Sequence, residues 1–366
     1  MSAAGRDRGE PQKPLERMSF PWSRRSATGA VTLLVFSCSR GAQTPIEPSA
    51  LFAQWAKLAE TAAQQETIVV EGREGWLFFG PELRHLSVGK FWGAEAAAVS
   101  QARQPEWADP LPAILDFHNQ LSDLGVELIV VPVPPKAIVY PDKVPSTMEW
   151  SAEVPPRLDI QHQAFYTLLR ENGIDVLDLT EIFLSNRDHP DGHMYCQQDT
   201  HWSGVATTLA AAQIVPTIRS RAWFVDVPKA AFSEERKPVE ITGDLWAALE
   251  EPSRPKEQLP LRFVGSEPDP ESPVVLLGDS HTLVFHAGGD MHAEGAGLAD
   301  QLAFDLGFPV DLVGVRGSGA TAARINLLRR AQADPDYWAK KKLVIWCFAA
   351  REFTESDGWR EVPIAP

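Results

Sequence analysis

A serine, a histidine and an aspartate in two short stretches of this chain have the types and spacing to make an acyl-transfer nucleophile. The first stretch is Val274-Val275-Leu276-Leu277-Gly278-Asp279-Ser280-His281. Four apolar residues between Pro273 and a glycine read as a strand buried on both faces of a parallel sheet, which requires an unbroken hydrophobic run. A hydroxyl on the turn leaving such a strand sits at the carboxyl edge of the sheet, where open α/β sheets hold their ligands. Ser280 is that hydroxyl, and Gly278 permits the tight turn or close approach that a side chain would forbid. Taken alone, the turn reads first as the cap of a following helix, because Gly, Asp and Ser are ordinary turn and cap residues.

The second stretch, Asp199-Thr200-His201-Trp202, supplies what a serine lacks. In an extended segment the side chains at i and i+2 share a face, so Asp199 can hold one ring nitrogen of His201 while the other faces a hydroxyl. A base removes the serine proton as the oxygen attacks, and the carboxylate fixes the tautomer and stabilises the imidazolium. Seen alone, the segment also reads as core residues at a helix start with a solvated Asp199. Together the two stretches favour catalysis by Ser280, His201 and Asp199.

The same stretches occur in order with Gly72-Arg73-Glu74-Gly75-Trp76-Leu77-Phe78, Val131-Pro132-Val133-Pro134-Pro135-Lys136, Tyr140-Pro141, Gly243-Asp244-Leu245 and Arg351-Glu352. This ordered set resembles the alginate O-acetyltransferase-like proteins, SGNH-hydrolase-like proteins of the bacterial envelope, over about residues 50–355. Carried over position by position, the resemblance implies Ser280 as nucleophile, His201 as base and Asp199 as its orienter. It also implies a three-layer α/β/α fold with a mostly parallel central sheet, and a substrate that is an exported polysaccharide. The acetyl donor would be relayed from a membrane acyltransferase. The motif order is permuted relative to ordinary SGNH esterases, whose serine block opens the domain. No Gly-x-Asn-Asp block is visible, so the asparagine that helps to bind the oxyanion there has no counterpart. The nearest segment is Arg316-Gly317-Ser318-Gly319, which could offer backbone N–H groups and the Arg316 charge. The plainer reading is a strand-to-helix connection whose glycines serve only the turn.

The elements that must position these groups follow from the rest of the chain. Its 366 residues with 44% hydrophobic content suffice for one large domain or two modest ones. A net charge of -15 argues against generic nucleic-acid binding, which needs clustered basic residues. Arg24-Arg25 before the apolar run Ala30-Val31-Thr32-Leu33-Leu34-Val35-Phe36 reads as an export signal within a leader and linker of residues 1–43. The run is too short to span a bilayer by itself. The leader is either cleaved or retained, or ends at Cys38 as the lipidated first residue of a mature lipoprotein tethered to the membrane. The catalytic domain would then cover residues 44–366, in the periplasm or cell envelope.

Within it, helices are expected over 51–65, 111–124, 157–171, 203–219, 298–306 and 320–333, and strands over 126–131, 174–179, 274–277, 310–315 and 343–348. This alternation is that of a doubly wound α/β layer. Residues 222–270 break it with Pro and charge, and read as an irregular insertion, either a lid or a surface loop. Lys136, on the loop leaving one strand, and Arg351, past the end of the last, are placed to meet an acidic or hydroxylated substrate; a solvated lysine and a surface ion pair are the plainer readings. His201 sits just before a helix, whose positive end would lower its pKa. His189, His193 and His201 lack the spacing of a metal motif, so neither metal nor cofactor is expected. Cys196 and Cys347 are either a disulfide or two buried thiols.

The chemistry predicted is acetyl transfer to a sugar hydroxyl. Two alternatives share these residues: a carbohydrate acetyl esterase that uses water, and a glycan-binding envelope protein whose triad is idle.

Overall fold

Unbroken apolar runs set the centre of the structure. The computed structural model describes residues 48–150, 153–250 and 253–365; the expected leader, with Arg24-Arg25 and Cys38, lies outside the described residues. In chain order, β1 (Val69–Glu71) and β2 (Leu77–Phe79) pair antiparallel across the 72–75 turn. The main sheet takes β3 (Glu127–Val133) and β4 (Asp175–Val176). A separate antiparallel ribbon takes β5 (Glu235–Ile241) and β6 (Glu257–Phe263). The main sheet resumes with β7 (Val274–Gly278), β8 (Asp311–Gly314) and β9 (Leu343–Ala349).

The main sheet has the order β4-β3-β9-β7-β8 with every neighbouring pair parallel. β7 and β9 are buried at every position, as strands covered on both faces must be. One face of the sheet, through Leu128, Val130, Val275, Leu277, Val344, Trp346 and Phe348, forms a core with the helices Pro110–Asp123, Ile160–Glu171 and Thr321–Ala333. The alternate residues Ile129, Val131, Leu276 and Ile345 are buried as well. Pro132 sits inside β3 without cost to the ladder. Val130 accepts from Leu177 on the β4 side, so Pro132 faces that side too, past the point where β4 has ended.

Two expectations change. The strand expected over 174–179 pairs at Asp175 and Val176 only. Asp178 leaves the ladder because its carboxylate accepts from the Thr180 amide and pairs with Arg157, which starts the next turn. Residues 222–270 are not irregular throughout. They form the β5/β6 ribbon with the short helix Asp244–Ala248 between its strands. Leu259 and Leu261 of β6 are buried while most of β5 faces water, so the expected strand alternation is masked by charge and by Pro238 and Pro260.

All five strands of the main sheet run the same way, so their carboxyl ends share one edge. Ser280 leaves β7 there and Arg351 leaves β9 there. Cys196 and Cys347 are buried free thiols. Among the described residues no helix is long and apolar enough to cross a membrane.

Candidate active site

Ser280 is placed by what surrounds Gly278 and Asp279. A Cβ at Gly278 would lie 1.8 Å from the Cys347 carbonyl oxygen, so β7 can approach β9 this closely only with glycine. The Asp279 carboxylate accepts from the His281 amide at 2.8 Å and from the Ala349 amide at 2.7 Å, tying the turn to the end of β9. The turn continues as a short 3-10 segment, Ser280–Thr282, rather than the helix that its composition suggests.

His201 arrives from the other side. The bridge between Tyr195 and Trp202 shapes its loop, and Ser203 caps the helix Gly204–Arg219 by accepting from the Val205 and Ala206 amides. The Trp202 indole N–H donates to the His281 carbonyl at 3.1 Å, fastening the histidine loop directly to the serine turn. The result is a continuous line of contacts. His201 Nδ1 lies 2.6 Å from Asp199 Oδ1, and His201 Nε2 lies 2.7 Å from Ser280 Oγ. Asp199 and His201 are buried, and Ser280 is 9% exposed, which leaves the hydroxyl at the edge of solvent.

Both oxygens of Asp199 are saturated with donors. Oδ1 also accepts from the His201 amide at 2.8 Å; Oδ2 accepts from the Asp244 amide and from His292 Nε2, each at 2.8 Å. Burial alone would raise this carboxyl, but the His201 and His292 contacts hold it well below the usual carboxylate range. Burial would likewise lower His201, but the Asp199 carboxylate outweighs it and raises the imidazole above its ordinary value. This reverses the expectation drawn from the helix end: the dipole is spent on Ser203, while the carboxylate is in direct contact. His281, adjacent to Ser280, is pushed down to about 4 by burial against the pull of Asp279, and stays neutral.

The secondary candidates separate. Lys136 is buried rather than facing substrate or solvent. Its ammonium donates to the backbone carbonyls of Leu77, Gln197 and Asp199, so it braces the Asp199 loop from beneath. Arg316 points to the surface, in an ion pair with Asp290 at 2.6 Å. Gly317 has open space around it, and Gly319 packs on the Asp279 backbone. The connection thus serves the turn, and Ser318 and Gly319 act on the Glu352 carboxyl to lower its pKa. Burial, then the Asp279 charge, pushes Glu352 up to about 8. Arg351 does belong to the site's electrostatics. Its side chain is 12% exposed, stands over Phe79 and near Glu82, and acts on the charges of Asp279, His281 and His201.

Sequence reasoning passed over two contributors. Asp244 lies in the Gly243-Asp244-Leu245 stretch, quoted above without a role; its side chain accepts from the Thr200 amide and hydroxyl while its own amide serves Asp199. His292 carried no periodic or motif signal at all. Ligand atoms of Asp199, His201 and Asp244 lie within 4.8 Å of one another, the spacing of a metal site. Each of those atoms is already engaged in a hydrogen bond, so a cation would have to break the network that orients His201. A cleft of about 610 Å³ runs beside this loop, lined by Glu74, His193, Gln197, Gln198 and Glu257 but by none of the three candidate catalytic side chains.

Comparison with known proteins identifies the family and the fold. Residues 69–350 match the family described as SGNH hydrolase-like domain, acetyltransferase AlgX. The probable alginate O-acetylase AlgJ of Pseudomonas aeruginosa is 29% identical over 201 residues, 53% of this chain and 44% of that protein. The AlgJ of Pseudomonas syringae pv. tomato is 26% identical over 231 residues, 60% of this chain and 56% of that one. The chain therefore spans about half the length of the curated relatives that it matches. Among solved structures, the O-acetyltransferase domain of Pseudomonas putida AlgJ superposes with a TM-score of 0.55 at 21% identity, covering 78% of this chain and 92% of that one. Pseudomonas aeruginosa AlgX gives 0.53 at 19% identity, covering 77% and 62%. At these identities the likeness is one of fold.

Proposed function

The chain belongs to the SGNH hydrolase-like acetyltransferase family of AlgX, and from that premise we propose that it transfers acetyl groups to an exported polysaccharide through an acetyl-serine formed on Ser280. His201 Nε2 takes the Ser280 proton as Oγ attacks the carbonyl carbon of an acetyl ester. The tetrahedral intermediate collapses, and the donor's oxygen leaves with that proton from His201. An acceptor hydroxyl then gives its proton to His201 and attacks the acetyl-serine; Ser280 Oγ leaves and recovers the proton. Asp199 holds the imidazole in the donating tautomer at Nδ1 and stabilises the cation formed in each half. Sugar hydroxyl as the second nucleophile makes a transferase, and water makes an esterase.

What supports this reading most directly is the pair of contacts on His201, 2.6 Å to Asp199 and 2.7 Å to Ser280. The acceptor class rests on the family and on relatives whose names specify alginate. An acetyl donor relayed by a membrane acyltransferase, the periplasmic location and the Cys38 tether complete the proposal.

Turnover of an activated acetyl ester by wild type and Ser280→Ala tests it. Loss of roughly a thousandfold or more in the variant is expected. Equal turnover in both would remove Ser280 from the chemistry, and glycan binding with no turnover in either would make the protein a binder. Acetylated oligosaccharide, detected by mass spectrometry when candidate acceptors are added, separates transfer from hydrolysis.

A further inference from the structure

His292 is held in a backbone conformation that residues with a side chain rarely adopt. Its φ is 72° and its ψ is -39°, and the Ala293 amide donates to the Met291 carbonyl at 2.9 Å across it. An i to i+2 hydrogen bond over a residue of positive φ and negative ψ is the rare, strained form of the γ-turn. The surrounding loop enforces it. Phe285 donates its amide to the Met291 carbonyl and accepts from the Ala296 amide, each at 2.8 Å, while Gly288 donates to Ala293 at 2.9 Å. Strain of this kind persists where the surroundings over-determine it, and it marks positions where the geometry is used.

The use is visible at the other end of the side chain. His292 is 9% exposed, and its Nε2 lies 2.8 Å from Asp199 Oδ2, the carboxylate oxygen not occupied by His201. We propose that His292 is a positioning residue of the acyl-transfer site: it clamps Asp199 in the orientation that presents Oδ1 to His201. The inference rests on the Ser280-His201-Asp199 reading and extends it. Ser280 and His292 lie on one connection, between β7 and the helix Leu298–Leu306, so the nucleophile and the clamp at the far end of the network are carried by the same loop. The network Ser280–His201–Asp199–His292 closes into a ring through that loop, which fixes the spacing from hydroxyl to carboxylate.

Loss of the clamp has a signed consequence. The groups facing His201 are Asp199, Asp244, His281, Arg351 and Ser280. Removing the His292 donor leaves more of the Asp199 charge to act on His201, which makes the imidazole more basic. The acid limb of the rate profile, set by protonation of the base, then moves to higher pH.

The test compares wild type, His292→Gly, His292→Gln and Ser280→Ala by acetyl-ester kinetics across pH and by thermal melting. Glycine adopts the γ-turn freely, so His292→Gly keeps the loop and removes only the ring. The expected result is a fall of roughly tenfold or more in kcat with little change in KM. The acid limb should move up, Tm should stay equal or rise, and kcat should partly recover with added imidazole or in His292→Gln. An unchanged kcat and acid limb in His292→Gly, or a fall in kcat that only accompanies a lowered Tm, would overturn the clamp. If Ser280→Ala is dead while His292→Gly matches wild type, the triad stands and the clamp falls; if Ser280→Ala is fully active, both fall.

Discussion

The buried Asp199 carboxylate raises the pKa of His201, so in the proposed mechanism the free base is generated above the ordinary imidazole value. The acid limb of kcat/KM is therefore expected above about pH 6.5, and a limb well below that value in a pH-rate profile would contradict the account. Asp199→Asn should keep the fold but present a different hydrogen-bond pattern to Nδ1, lowering kcat by roughly 10³- to 10⁴-fold. Steady-state kinetics check this, with circular dichroism as control for the fold. Glu352 gives a prediction on stability. Burial keeps its carboxyl protonated up to about 8, and its Oε2 has no hydrogen-bond partner. The unfolded chain releases that proton near the ordinary glutamate value. Stability from this group is therefore full in acid, falls as pH rises from there, and is lost above about 8. Glu352→Gln should gain on wild type with rising pH and level off above the folded value, by about 1–3 kcal/mol, as read from denaturant melts. At this scale the sequence displays Ser280, His201 and Asp199, because Asp199 and His201 share one short stretch and Ser280 stands on a turn just after an unbroken apolar run. It hides His292 and turns Lys136 toward the wrong role, since reach across a cleft and burial beneath a loop are products of tertiary packing.

The elements explain which motifs were legible and which were not. β7 and β9 announce themselves as apolar runs because both of their faces are covered. β4 is short because Asp178 finds Arg157 and Thr180 instead of a strand neighbour. The ribbon of β5 and β6 hides behind prolines and charge, yet it delivers the helix start at Asp244 whose amide reaches Asp199. Gly243 makes that approach possible: a Cβ there would lie 2.0 Å from the Gln198 carbonyl oxygen and 2.9 Å from the Asp199 amide nitrogen. Gly243→Ala must push the backbone that carries the base's orienter, and these atoms cannot yield as a flexible side chain would. The expected outcome is a fall of roughly tenfold or more in kcat with the protein still folded. Wild-type turnover would mean that the ribbon does not set the position of Asp199.

At the scale of the molecule, Glu47–Pro366 forms one compact unit, and the family match at residues 69–350 lies inside it. The parallel sheet brings the ends of β7 and β9 to one edge, and the Trp202 indole locks the histidine loop to the serine turn; the chemistry is thus a property of the whole unit. That dependence can be read in one covalent product. Intact and peptide mass spectrometry, after brief exposure to an activated acetyl ester, should find one acetyl group on the peptide containing Ser280 in wild type. It should be absent from Ser280→Ala and lost again when an acceptor glycan or time is supplied. Turnover without acetyl on that peptide, or acetyl at the same level in Ser280→Ala, would contradict the account.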